Sequence, residues 1–143
     1  MDDYSLLKNS FKDGDLLELA LTHRSWVNEH KNQRRSNERL EFLGDAVLEF
    51  IVSEIIYKNF QDKEEGYLTA LRAKLVNTVS LSEVSEKLEL GKYLYLSKGE
   101  EETGGRTNQS LLADTLEAVI GAVYLDRGVS ECKLFIEKYI LAD

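Results

Sequence analysis

Residues 37–60 read Asn37-Glu38-Arg39-Leu40-Glu41-Phe42-Leu43-Gly44-Asp45-Ala46-Val47-Leu48-Glu49-Phe50-Ile51-Val52-Ser53-Glu54-Ile55-Ile56-Tyr57-Lys58-Asn59-Phe60. The stretch holds no proline, and Ser36 or Asn37 can cap its start, so it predicts one helix some 35 Å long at ~1.5 Å per residue. With Glu38 at zero and an advance of ~100° per residue, Glu41, Asp45 and Glu49 fall within about 60° of it. Leu40, Leu43, Val47, Phe50 and Ile51 fall on the opposite side. A solvated acidic face is the ordinary meaning of such a stripe. Here Phe42, Leu48, Val52 and Ile56 lie on or beside the acidic side, so the helix is apolar nearly all round. A helix of that kind is buried, and carboxylates on it need partners.

A second acidic pair stands about seventy residues later, in Ala113-Asp114-Thr115-Leu116-Glu117-Ala118. On a helix, Asp114 and Glu117 share a side with the small residues Ala118 and Gly121, while Leu112, Leu116, Val119 and Val123 face away. Small residues beside the acids would let another backbone approach. If the two helices pack together, Glu41, Asp45, Asp114 and Glu117 gather at one point. Such a cluster is tolerated when cations neutralise it or protons stay bound. Oxygen ligands without histidine or cysteine select hard ions, Mg²⁺ or Mn²⁺ rather than zinc. The two histidines, His23 and His30, stand in no E-x-x-H arrangement, which counts against a di-iron bundle. Two hard ions suit phosphodiester cleavage. The residues by themselves lead to metal-assisted phosphoryl chemistry and no further.

The rest of the chain sets the frame. Its 143 residues suit one domain, and its single cysteine excludes a disulfide scaffold or a thiolate zinc site. The start lacks the basic and apolar regions of a secretory signal, and no apolar run approaches the ~18 residues of a membrane span. A soluble, cytoplasmic protein with no membrane association and no small-molecule cofactor is expected. The formal charge of −8 argues, at face value, against a polyanionic partner. Divalent ions in the acid cluster would reverse the sign locally.

Helical patterns cover residues 3–10, 15–24, 36–60, 78–88, 109–126 and 130–141, with one more running to Val76 from an apparent capping box at Asp62–Glu65. Residues 92–96 are ambiguous, and 99–108, rich in glutamate and glycine, reads as a mobile loop. The expected fold is an all-α helical bundle. Cys132 reads as a small core side chain, His23 as a hydrogen-bonded structural residue, and Gly44 as a site of close packing or metal access. Lys31, Arg34 and Arg35 form a basic loop open either to phosphate or to solvent alone. Arg106 and Asn108, just before the second acidic helix, are similar candidates for phosphate contact.

The nine residues Asn37 to Asp45, together with Ala113 to Ala118, resemble the signature of the ribonuclease III family. The similarity runs from Leu21-Thr22-His23-Arg24-Ser25, through Leu71-Arg72-Ala73-Lys74-Leu75-Val76, to Gly121-Ala122-Val123-Tyr124-Leu125-Asp126. It implies the family's catalytic domain over residues 1–143, with the all-helical endonuclease fold. It also implies a homodimer that cleaves double-stranded RNA with Mg²⁺, for which Mn²⁺ can substitute, in ribosomal and messenger RNA processing. Products would carry 5′-phosphate and 3′-hydroxyl ends with two-nucleotide 3′ overhangs.

By the same resemblance Glu41, Asp45, Asp114 and Glu117 match the metal-site carboxylates, Glu117 being most directly tied to cleavage. Glu38 and Glu65 match acidic positions that bind or organise substrate, though Glu65 could equally complete the capping box. Phe42 matches an aromatic that enters a socket on the partner subunit. Bacterial members usually continue into a double-stranded-RNA-binding domain, and none is expected within these 143 residues. The rival expectation is a catalytically silent RNA-binding or scaffold module on the same fold.

Overall fold

A computed structural model describes residues 1–142. Nine α-helices are found there: α1 (Asp3–Ser10), α2 (Gly14–Ala20), α3 (Arg24–Glu29), α4 (Glu38–Asn59), α5 (Glu65–Val76), α6 (Thr78–Lys87), α7 (Lys98–Glu102), α8 (Gln109–Arg127) and α9 (Val129–Tyr139). Short 3₁₀ turns at Leu90–Tyr93 and Gly105–Thr107 complete the order. Among the described residues there is no strand, only an isolated bridge between Thr22 and Tyr95. The expected all-α bundle is therefore the fold found. None of these helices is long and apolar enough to cross a membrane.

α8 is the central rod, with eleven of its nineteen residues buried. It packs against α4, α6, α2 and α9. Its start is fixed by Asn108, whose side chain accepts from the Leu111 N–H and so satisfies one of the donors that a helix N-terminus leaves free. Gly128, at φ +87°, ends it in a conformation that favours glycine. Leu40, Val47, Leu48, Ile51, Val52, Ile55 and Ile56 of α4 enter the same core. Phe50 does not: expected on the buried side, it is exposed. Cys132 is fully buried, as expected of a core side chain, and burial pushes its thiol up to about 12.

Three boundaries depart from the periodicity. The helix expected over 15–24 stops at Ala20, because the next residues bond elsewhere: Tyr95 N–H donates to Leu21 O, His23 N–H to Tyr95 O, and Asn37 N–H to Thr22 O. α3 then restarts at Arg24 with His23 as its cap. The capping box at Asp62–Glu65 does not form, since the residue before α5 is Glu64 and it makes no side-chain cap bond. The expected mobile loop over 99–108 instead contains α7 and a 3₁₀ turn. Ser97 caps α7 by accepting from the Glu100 N–H.

Candidate metal centre

α4 and α8 approach so closely that neither tolerates a side chain at the crossing. A Cβ on Gly44 would overlap the Glu117 carbonyl, and one on Gly121 would overlap the Leu40 carbonyl. Ala118, one turn from Asp114, is fully buried beside this crossing. The small residues expected to admit a neighbouring backbone therefore do so, and close packing is the role of Gly44.

The crossing brings together the acids of the two helices. Oxygens of Glu41, Asp114 and Glu117 lie within 4.8 Å of one another. The carboxyls associate in pairs, Glu41 hydrogen-bonded to Asp114 and Glu117 to Asp45. Carboxylates can bond in this way only if one of each pair holds a proton. Burial, the hydrogen bond to Asp45 and that residue's charge raise Glu117 to about 9. Burial followed by the charges of Asp114 and Glu38 raises Glu41 to about 7. Burial raises Asp114 as well. Among the described residues none of the four forms a salt bridge. Their repulsion is thus relieved by protons or by a cation. Glu49, expected on the same stripe, is drawn away by Arg72 at 3.1 Å.

Two cavities flank the cluster. A shallow one is bounded by Glu38, Glu41, Phe42, Asp45 and Glu117. A deeper one of about 410 Å³ is lined by Glu41 and Asp114 together with His23, Arg24, Ser25, Asn28, Glu38, Glu100 and Asn108, among others. Glu38 sits in both walls and pairs with Arg24 at 3.6 Å. Asn108 faces the deeper cavity, but its side-chain oxygen is engaged by the Leu111 N–H.

Arg106 belongs to the scaffold instead of the cleft. Its guanidinium donates to the carbonyls of Gly91, Lys92 and Leu94 and pairs with Glu101 at 3.0 Å, and it lines neither cavity. In the basic loop, Arg34 is likewise committed, stacked over Trp26 and Tyr95 at 4.5 Å each and paired with Glu18 at 3.0 Å. Lys31 and Arg35 are exposed. Glu65, in the first turn of α5, is exposed and lies outside both cavities.

Glu100 is the cleft residue that the periodicity misses. Its signal was present as Ser97-Lys98-Gly99-Glu100, a serine followed three residues later by a glutamate, the pattern of a helix start. His23, read as structural, is hydrogen-bonded as expected: its Nδ1 meets Ser25 N at 3.1 Å and Ser25 Oγ at 2.8 Å. It also lines the deeper cavity.

Phe42 projects from the crossing with 81% of its surface exposed. Beside it lies an apolar depression of about 600 Å³, walled by Leu16, Leu19, Leu40, Leu43 and Leu125.

Comparison with known proteins agrees with this architecture. A family model described as Ribonuclease-III-like matches residues 13–143. A Ribonuclease 3 from Caldanaerobacter subterraneus subsp. tengcongensis is 52% identical over 126 residues, covering 88% of this chain and 55% of that protein. The nuclease domain of ribonuclease III from Campylobacter jejuni superposes with a TM-score of 0.87 at 40% identity, covering 98% of this chain and 92% of that one. A second structure of that nuclease domain concerns flexibility in a region involved in dimer formation. It superposes with a TM-score of 0.86 at 41% identity, covering 97% and 96%. The chain spans about half the length of the curated relatives it matches.

Proposed function

The chain belongs to the ribonuclease-III-like family, and on that premise we propose that it is a divalent-metal-dependent endoribonuclease acting on double-stranded RNA. The products would carry 5′-phosphate and 3′-hydroxyl ends with two-nucleotide 3′ overhangs. The observation that carries the reading is the convergence of Glu41, Asp45, Asp114 and Glu117 at the α4–α8 crossing, paired and without a basic partner.

The donor set fits a hard divalent ion. It consists of carboxylate oxygens alone, those of Glu41, Asp114 and Glu117 lying within 4.8 Å of one another, and the raised proton affinity of these three marks uncompensated negative charge. Glu41, Asp45, Asp114 and Glu117 would hold Mg²⁺ or Mn²⁺, which supplies charge neutralisation and a more acidic water. The remaining work falls to the chain. Glu117 must give up its proton before both oxygens can act as ligands, and Asp45 beside it orients that carboxyl. The glycine contact holds the helices in register, so the four acids do not drift apart.

The side chain next to this site supports assembly as a homodimer. Phe42 is too exposed for a residue whose burial is worth about 1.5–3 kcal/mol. The adjoining apolar depression is large enough to receive the same residue from a second copy. A two-fold arrangement would satisfy both subunits at once and place two metal centres on one duplex. Glu38 stands where it can meet substrate. Asn108 adds its amide N–H₂, while Glu65, exposed and outside both cavities, keeps no substrate role within its own chain. Such an enzyme would work in the cytoplasm on ribosomal and messenger RNA precursors.

The test is cleavage of a perfectly paired RNA by the 143-residue chain with Mg²⁺, beside the Glu117→Gln variant. The expected result is defined product ends with the native chain and a loss of at least about a hundredfold in rate with the variant. Binding of duplex RNA without cleavage in Mg²⁺ or Mn²⁺ would instead establish a silent scaffold. Cleavage unaffected by Glu117→Gln would remove the assigned site.

A further inference from the structure

The deeper cavity beside the metal carboxylates is walled by groups of a particular kind. Glu38, Glu41, Glu100 and Asp114 face it against a single cation, Arg24, which is already paired with Glu38. With Glu41 and Asp114 committed to the ion, Glu38 and Glu100 still outnumber Arg24, so this wall offers a phosphate no net positive charge. What suits the cavity is a neutral part of the substrate that both gives and takes hydrogen bonds.

His23 supplies a fixed donor. Its Nδ1 accepts from the Ser25 N–H at 3.1 Å, which requires that position to be unprotonated and places the ring proton on Nε2. Burial lowers the histidine's proton affinity and so favours this neutral form. Among the described residues no protein acceptor takes the Nε2–H. Glu100, in the same cavity, supplies a carboxylate that can only accept.

One hydroxyl ties these two groups together. Ser25 Oγ accepts from the Ser97 N–H at 2.9 Å and meets His23 Nδ1 at 2.8 Å, and Ser97 is the cap of the helix that carries Glu100. Gly105 secures the far side, since a Cβ there would press on the Glu100 side chain at 2.8 Å. A donor held in place and an accepting carboxylate therefore share one cavity next to the phosphodiester site.

A ribose 2′-hydroxyl accepts from the one and donates to the other; deoxyribose does neither. The wide minor groove of an RNA duplex displays these hydroxyls. We propose that the cavity seats the ribose of a nucleotide flanking the scissile phosphate, with His23 Nε2–H donating to its 2′-oxygen and Glu100 accepting from its 2′-hydroxyl. This rests on the nuclease reading above and makes His23 a substrate-positioning residue that discriminates RNA from DNA.

The test is single-turnover cleavage by the 143-residue chain with Mg²⁺. Substrates are a paired RNA and matched duplexes with one 2′-deoxy nucleotide on either side of the scissile bond. The native chain should lose about tenfold on one of the deoxy substrates, the worth of a hydrogen bond held in a preformed site. His23→Leu should lose about tenfold on all-ribose RNA and show little further loss on that deoxy substrate. His23→Gln, which keeps a side-chain N–H, should recover part of the rate. If His23→Leu does not fold, as judged by its melting transition, Glu100→Ala, which removes the acceptor, should show the same collapse of the deoxy effect.

An undiminished deoxy effect in the folded variants, or none with the native chain at either flank, overturns the proposal. A penalty that follows base identity instead of the sugar replaces it with base-edge recognition. Failure to cut all-ribose duplex at all overturns the nuclease reading, and this proposal with it.

Discussion

Replacing Glu117 by glutamine should stabilise the metal-free protein at neutral pH while disabling its site. Glu117 titrates at about 9 in the folded chain, against 4.5 for the ordinary side chain. Between those values the folded chain holds a proton that the unfolded chain releases, so stability falls as pH rises. The contribution is fully present below pH 4.5 and is lost through 9. From pH 5.5 to 7.5 the ideal loss is about 2.7 kcal/mol, at 1.36 kcal/mol per unit. Partial solvent access reduces this to about 1–2 kcal/mol.

Glutamine has the shape of the protonated acid and no titration, so it escapes the loss. With an unfolding entropy of about 0.3 kcal/mol/K for a chain of this size, the variant should melt some 3–6 °C above the native protein at pH 7.5 in EDTA. At pH 5.0 the two should nearly coincide. Excess Mg²⁺ should raise the native protein more than the variant, because only the native site offers all four carboxylates. Calorimetry or circular dichroism at the two pH values, with and without the ion, makes the measurement. A variant that melts at or below the native protein at pH 7.5 in EDTA would refute the reasoning, as would a difference that does not change with pH.

Other substitutions probe separate parts of the structure. Gly44→Ala, favourable by ~1 kcal/mol in an unconstrained helix, should destabilise the fold by at least about 3 kcal/mol in urea unfolding, because its methyl meets the α8 backbone. Phe42→Ala should leave the melting of the monomer almost unchanged yet weaken self-association at least about tenfold. Light scattering of the native chain at micromolar concentration should give twice the 16.3 kDa chain mass. Arg106→Ala should lower stability by about 2 kcal/mol through the loss of its bonds to backbone carbonyls, while cleavage at 20 °C stays within about twofold.

The site was readable in the sequence because its chemistry is written in helical spacing. Glu41 and Asp45 lie one turn apart, Asp114 and Glu117 three residues apart, and the small side chains beside them announce the close crossing. What escaped is what tertiary bonding decides. Residues 21–23 leave the helix to bond Tyr95, a residue more than seventy positions away, and no local pattern records that. Phe50 shares a helical side with Leu43 and Val47 yet faces outward, since only the neighbouring elements determine where the core ends. Arg106 has the charge expected of an RNA contact, but its donors are taken by carbonyls from a distant turn. Glu100 was obscured by composition: glycines and glutamates suggested a mobile segment, while the Ser97 cap made a short helix.

α4 commits most of its circumference between Glu38 and Ile56. One side fills the core, another carries the carboxylates, a third presents Phe42, and Gly44 lies against the α8 backbone. Helices of most globular proteins keep a solvent-facing strip where substitutions accumulate freely. Here that strip is narrowed to Arg39, Ala46, Phe50 and Tyr57 on either side of Phe42, so substitutions tolerated along this segment should be confined to those positions. Variation that spares the molecule would be channelled into α9 and the loops. The helix would then act as an evolutionary anchor against which the rest of the chain can diverge.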